Sequence, residues 1–364
     1  MTATTAAEAM AAGIRKTVPD TIVDCCPIAD GGEGTLEALI SAVPGDLQRV
    51  IVSGPLGDTV EAAFATFAEG QLAVVESATA IGLQLVPEPM RDPAKTSSYG
   101  VGELIMAACK ASPPKIIVAI GGSATNDGGC GMAQALGIHF FDCNGDQIRK
   151  PICGGMLSDL SRIDATERLP ALNNIELIVA CDVRNPLTGP DGAAFIYGPQ
   201  KGASGEQLAL LDKGLAHLAA LVRRDLKMDI EALEGSGAAG GLGGGLVAFT
   251  GATIASGIDT ILDAVEFERR VSCCDLCLTG EGRIDAQSTS GKACIGVARA
   301  ASKHGVPTIA LVGAVGSGAE QCLAAGLDQY IVIGGGLSAA HSMRQAEELI
   351  ADAAGRVATT FIPA

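Results

Sequence analysis

KIIVAIGGSATNDGGCG, residues 115–131, decides the fold. After Lys115 the run IIVAI is wholly apolar and dominated by β-branched residues. That is the composition of a strand covered on both faces. Gly121-Gly122 break it, a polar stretch follows, and helical patterning begins near 129 and runs to about 137. Strand, glycine loop and helix in succession are the unit of an α/β fold. Working outward, the same sequence of signals recurs. ADGGEGT follows TIVDCCPI (21–28), CDVRNPLTG (181–189) follows IELIVA, and TGEGRID (279–285) follows CDLCL. Each apolar run predicts a buried strand, and each glycine-plus-acid segment predicts a loop. VEAAFATFAEGQLAVVES reads as two strands joined at Glu69-Gly70, a hairpin signal. The alternation predicts largely parallel sheets covered by helices. In such sheets ligands sit outside the carboxyl ends of the strands, so the four loops can line one cleft. No linker rich in Ser, Pro or charge separates two halves. A second domain is therefore expected as an insertion.

Composition narrows the function. The 364 residues suit two domains, and 48% hydrophobic content with only 3% aromatics and no Trp predicts aliphatic cores. Glycine occurs 48 times, nearly twice the usual ~7%, and gathers at the ends of apolar runs. A net charge of −16 and no Lys/Arg cluster argue against a nucleic-acid partner. No run reaches the ~18 apolar residues of a membrane span, and no signal peptide opens the chain. The twelve cysteines, several within apolar runs, read as buried free thiols in a reducing, cytoplasmic setting. Cys274 and Cys277 form a C-x-x-C without a second pair or a nearby His, which argues against zinc.

The loops carry the candidate chemistry. In 120–131, Gly121 and Gly122 admit close approach, Ser123, Thr125, Asn126 and Asp127 offer oxygens, and helix N–H groups follow. This reads as an anion cradle or as a capped strand–helix turn. In 278–293, Glu281, Arg283, Asp285 and Lys292 place four charges within twelve residues of a chain that is 18% charged. Arg and Lys suit phosphate, and carboxylates suit Mg²⁺. Asp182 ends a strand, with Arg184, Tyr197, Gln200 and Lys201 following. Thr96, Ser97, Ser98 and Tyr99 add donors. A P-loop is excluded, because Ala286 and Ala293 stand where it needs Gly and Ser or Thr. The tract GSGAAGGLGGG (235–245) follows no clear strand, so a dinucleotide fingerprint is not met. None of the four histidines sits beside a nucleophile. Acids, cations and hydroxyls at strand ends without a histidine base suit phosphoryl transfer, which depends on positioning and electrostatics.

Taken in order, IADGGEGT, SGPLGD, TSSYGVGELI, IGGSATNDGGCGMAQALG, ACDVRNPLTGPDGAAFIYGPQKGA, the 235–245 tract and TGEGRIDAQSTSGKACIGVA closely resemble the glycerate kinase type-1 family over nearly the whole chain. The resemblance implies ATP- and Mg²⁺-dependent phosphorylation of D-glycerate, giving 2-phosphoglycerate, in an interdomain cleft. It implies a flavodoxin-like domain from both chain ends, placed at 1–53 and 262–364, with an α/β domain inserted at 54–261. Asp182 and Asp285 lead as base or metal ligands, with Lys292 as a third catalytic candidate. Asp30, Gly31, Gly32, Glu33, Gly121, Gly122, Ser123, Asn126, Asp127, Lys201, Glu281 and Arg283 are expected to bind substrate or phosphate. The partners implied are D-glycerate and ATP, and a homo-oligomer stays open. Family members carry a further strand and an Asp-Ser-Phe-Lys loop ahead of the helix that begins here as TATTAAEAMAAGIRK. Without that strand a gap in the parallel sheet is expected, its neighbours lacking ladder partners. Two other readings compete. One is an impaired paralogue that binds glycerate or nucleotide without turnover. The other is a dinucleotide-dependent oxidoreductase, opposed by the missing fingerprint.

Overall fold

The apolar run that follows Lys115 lies in the middle of a six-stranded sheet. The structure, a computed structural model, describes residues 1–29, 31–289, 293–335, 337 and 339–361. In chain order the strands are β1 (Gly45–Ser53), β2 (Thr59–Phe67), β3 (Leu72–Glu76), β4 (Lys115–Ala119), β5 (His139–Asp142), β6 (Leu160–Asp164), β7 (Glu176–Ala180), β8 (Thr253–Ala255), β9 (Cys277–Ile284), β10 (Thr308–Val315) and β11 (Gln329–Val332). The large sheet has the order β1-β2-β3-β4-β7-β8. β1, β2 and β3 are antiparallel neighbours, while β3, β4, β7 and β8 run parallel. β9, β10 and β11 form a second, parallel sheet in the order β11-β10-β9. β5 and β6 make a small antiparallel pair. The protein is α/β, as its alternating pattern predicts.

The chain divides into two units. One comprises Met1–Asp30, Glu37–Val43 and Ile258–Ala364; the other comprises Gly31–Leu36 and Pro44–Gly257. β1 falls in the second because it pairs with β2 from Gly45 to Ser53, whereas the expected boundary lay at its end. In the first unit β10 shows why its sequence is apolar throughout. Ile309 and Leu311 pack against Ile14, Ile350, Ala354 and Val357. Ala310 and Val312 face Ile295 and Ala298 on the other side. Successive side chains point to opposite faces, so a sheet covered twice needs both sets apolar. Each fully buried Ile, Val or Leu contributes roughly 1.5–3 kcal/mol. The core of the second unit is equally aliphatic, with Phe140 and Phe249 meeting edge to face at 5.7 Å.

Two strand expectations are corrected. TIVDCCPI is not a strand: residues 21–29 carry no regular structure. A strand needs a ladder partner, and among the described residues β9 pairs with β10 alone. A cavity of about 180 Å³ lies there, lined by Cys26, Pro27 and Ile28 and by Leu276 to Gly280. Arg270 holds the segment instead, through the Asp24 carboxylate (2.9 Å) and the Cys25 carbonyl (3.0 Å). Conversely, most of TGEGRID is not a loop. β9 continues to Ile284, with Glu281 beside Val312 and Arg283 beside Ala314. Pairing with the long β10 satisfies the backbone groups that the glycines would otherwise leave to a turn.

All twelve cysteines are free; four are buried, six half-buried and two exposed. No helix among the described residues is long and apolar enough to cross a membrane.

Candidate active site at the strand ends

The parallel half of the large sheet brings four carboxyl ends to one edge. They lead to Glu76 from β3, Ile120 from β4, Asp182 from β7 and Ser256 from β8. The Gly31–Leu36 segment lies against this edge. The Gly121 N–H donates to the Gly31 carbonyl (3.1 Å). A Cβ on Gly121 would stand 2.6 Å from the Gly32 Cα, and one on Gly31 would stand 3.2 Å from the Ala180 carbonyl oxygen. Cβ atoms essentially never come within 3.0 Å of another backbone, so Gly121 is glycine because the first loop passes over it; the Gly31 contact is merely tight. Two glycine loops read separately in the sequence are thus one construction.

Buried carboxylates hold it together. Asp127 is fully buried. One of its oxygens, Oδ2, accepts from the Ser98 N–H (2.8 Å), the Ser98 hydroxyl (2.7 Å) and the Gly131 N–H (3.2 Å). The other, Oδ1, accepts from the Gly129 N–H (3.2 Å). Burial pushes its carboxyl up, and those donors oppose the rise. Asp127 therefore takes the helix-start amides that the sequence offers as an anion cradle. Glu76 does the same at the other loop, accepting from Gly34 N–H (3.0 Å) and Leu36 N–H (2.9 Å). Glu76 was not among the sequence candidates. Its signal was an acid closing an apolar strand, LAVVE.

Lys201 is also turned inward, only 2% exposed. It donates to the Thr125 carbonyl (2.6 Å) and to the Ser123 hydroxyl (3.2 Å). Burial pulls its ammonium down to about 7, against a weaker upward pull from Asp127. Beside them, the fully buried Asn126 has neither Oδ1 nor Nδ2 partnered among the described residues. The 235–245 glycine tract packs on this loop. A Cβ on Gly240, whose φ is +70°, would meet the Thr125 carbonyl oxygen at 1.9 Å. Gly122 lies on the same loop, its carbonyl accepting from Leu83 N–H (2.8 Å).

Asp182 stands at the mouth of β7. Its Oδ1 accepts from the Ser256 hydroxyl (3.1 Å) and the Gly257 N–H (2.9 Å). These bonds fix the carboxylate in place, and Ser256 is a further residue the sequence did not single out. A fixed, half-buried carboxylate at a strand end, beside glycines that admit close approach, can take a proton from a small hydroxylated ligand. Glu33 is exposed on the same loop as Gly31 and Gly32.

The other candidates belong to the first unit. Arg283 Nε lies 3.2 Å from Asp285 Oδ2, and Asp285 Oδ1 accepts from Gln287 N–H (3.0 Å). Glu281 accepts from the Ser288 hydroxyl (3.1 Å). Arg283, Asp285, Gln287 and Ser317 line an open hollow of about 490 Å³. Asp30 and Lys292 lie outside the described residues. Of the histidines, His139 pairs with Glu167 and His217 with the Leu160 carbonyl, away from the strand ends.

The glycerate kinase family model matches residues 1–362. A glycerate kinase of Halalkalibacterium halodurans is 44% identical over 359 residues, covering 98% of this chain and 94% of that protein. A glycerate 2-kinase of Escherichia coli K12 is 45% identical over 315 residues, 86% of this chain and 82% of that one. The crystal structure of a glycerate kinase 2 from Salmonella typhimurium LT2 superposes with a TM-score of 0.84 at 42% identity, covering 98% of this chain and 94% of that chain.

Proposed function

The chain belongs to the glycerate kinase family, and we propose that it transfers the γ-phosphoryl group of ATP to D-glycerate, forming 2-phosphoglycerate. Phosphorylation of glycerate is its activity, carried by likeness to glycerate kinases over nearly the whole chain. The choice of hydroxyl follows the Escherichia coli relative, a glycerate 2-kinase. The geometric observation that carries the reading is the meeting of Gly31, Gly32, Gly121 and Ala180, with Asp182 two residues beyond. There the two loops close on each other, and Gly34, where a Cβ would meet nothing within 4 Å, is the open backbone that a three-carbon acid can approach.

In this reading Asp182 is the base that accepts the hydroxyl proton as phosphoryl transfer proceeds, and Asp285 is left to the metal. Its bonds to Ser256 and Gly257 hold the acceptor oxygen in position. Glu33 and Asp30 orient glycerate through its hydroxyls, and Asn126 offers its amide. Arg283 and Lys292 serve phosphate oxygens, one as a planar fork and one as a point charge. Asp127 and Lys201 support the loop from inside.

No group of three or more His, Cys, Asp or Glu side chains among the described residues converges as a metal cage. That donor set fits Mg²⁺ arriving with its nucleotide, since Mg²⁺ uses one or two carboxylates plus phosphate oxygens. With Asp182 acting as the base, Asp285 is the carboxylate assigned to it. The ion would supply neutralisation of charge building on the phosphates. Twelve free thiols suit the reducing cytoplasm, where we place the enzyme.

The test is ADP release with ATP, Mg²⁺ and D-glycerate against a blank without glycerate, with the product identified by phosphorus NMR. Glycerate-dependent ADP and 2-phosphoglycerate are expected. Silence from the folded protein would overturn the reading in favour of a binder without turnover.

A further inference from the structure

The first glycine loop cannot hold its own shape. Glycine loses more backbone freedom on ordering than any other residue, and Gly31, Gly32 and Gly34 fall within four positions. Gly31 and Gly34 both have φ near +84°. Something outside the loop must fix it. Glu76, 42 positions from Gly34 and 40 from Leu36, does so with a single side chain: at the end of β3 and 4% exposed, it receives the Gly34 N–H on Oε1 and the Leu36 N–H on Oε2. Inside the loop, the Thr35 hydroxyl closes the remaining span onto the Gly32 carbonyl at 2.7 Å.

We propose that Glu76 is a positioning residue for glycerate binding, clamping the Gly31–Leu36 loop so that Glu33 and the bare glycine edges meet the substrate. The assignment rests on the glycerate reading above. It has a chemical consequence. Glu76 already fills the N-terminus of α2 (Thr35–Ala42) with negative charge, so those amides do not receive phosphate. The loop meets its ligand through side chains and Cα–H surfaces, which suits a small hydroxy acid better than a triphosphate. Glu33 is the charged neighbour; its charge adds to burial in raising the Glu76 carboxyl, while the loop amides oppose.

Glu76→Gln keeps the shape and one acceptor but sets an NH₂ against one loop amide. The glycerate KM should rise about tenfold or more, with kcat within about threefold and the ATP KM within about twofold of wild type. An unchanged glycerate KM, or an equal rise for both substrates, overturns the proposal. A second measurement needs no change at Glu76. In a Glu33→Gln background, the amide proton shifts of Gly34 and Leu36 should titrate together with one carboxyl group. Independence of the two amides from any carboxyl titration overturns the clamp. If the wild-type enzyme shows no glycerate turnover, the functional reading falls, while the amide titration still decides whether Glu76 holds the loop.

Discussion

The loop at 120–131 and the stretch at 279–289 share one vocabulary of glycine, acid and hydroxyl, and they are built in opposite ways. In the first, the acid points inward. Asp127 is fully buried and bound by four donors, with Lys201 beneath the same turn. In the second, the glycines lie within β9, Arg283 faces solvent, and Glu281 and Asp285 are half-buried. Arg283 is 65% exposed and, among the described residues, pairs with the nearby Asp285. The first arrangement makes a rigid floor, and the second leaves Arg283 at the surface. Glycine next to acid therefore has no single meaning. What separates the cases is the set of partners around the carboxylate: four donors in the interior at Asp127, against the Gln287 amide and the exposed Arg283 at Asp285.

That contrast can be broken at four points. The largest effect belongs to Asp182→Asn, which keeps the oxygen that Ser256 and Gly257 address but removes the base. It should lower kcat about 10²–10⁴-fold with little change in Tm. Near-normal turnover would take Asp182 out of the reaction. Next comes Asp127→Ala, which strands four donors in the interior and should lower stability by about 3–5 kcal/mol in urea titrations. A loss below about 1 kcal/mol would mean that the loop amides find other partners, and the rigid-floor picture would fail.

Lys201→Met tests the floor by pH. Burial lowers the Lys201 ammonium from 10.5 to about 7. Between those values the unfolded chain holds a proton that the folded chain lacks. The contribution is therefore full above the unfolded value, and stability is lost as pH falls toward 7. Wild-type stability should climb with pH in this window by up to about 1.4 kcal/mol per unit. The methionine variant should lose that slope; parallel profiles would show that Lys201 stays charged. The smallest structural effect is expected at Arg283→Ala. An exposed pair of this kind contributes below about 1 kcal/mol, so Tm should hardly move while the ATP KM rises. A large drop in Tm with unchanged KM would reverse the assignment of Arg283 from ligand to structure.

The strands at 59–67, 72–76, 115–119 and 176–180 were legible because their apolar stretches are paired and covered as such stretches require. TIVDCCPI opens on the same kind of apolar run and forms no strand, and among the described residues no strand pairs with it. Propensity describes what a segment can do, and a hydrogen-bonding partner decides whether it does. The site was legible to a similar degree. Glycine positions marked where backbones approach, and the strand-end aspartate was correctly placed at the mouth of β7. Glu76 was passed over because its role depends on amides 40 and 42 residues away, and no local pattern records that distance.

By itself, then, the sequence determined the α/β alternation, the aliphatic cores and, through long ordered motifs, the family. These depend on side-chain polarity and backbone preference, which act over a few residues and survive in a linear string. Only the tertiary structure decided what each charged group does. A carboxylate becomes a clamp, a cap or a candidate base according to the donors that surround it, and those donors come from strands and loops far apart in the chain.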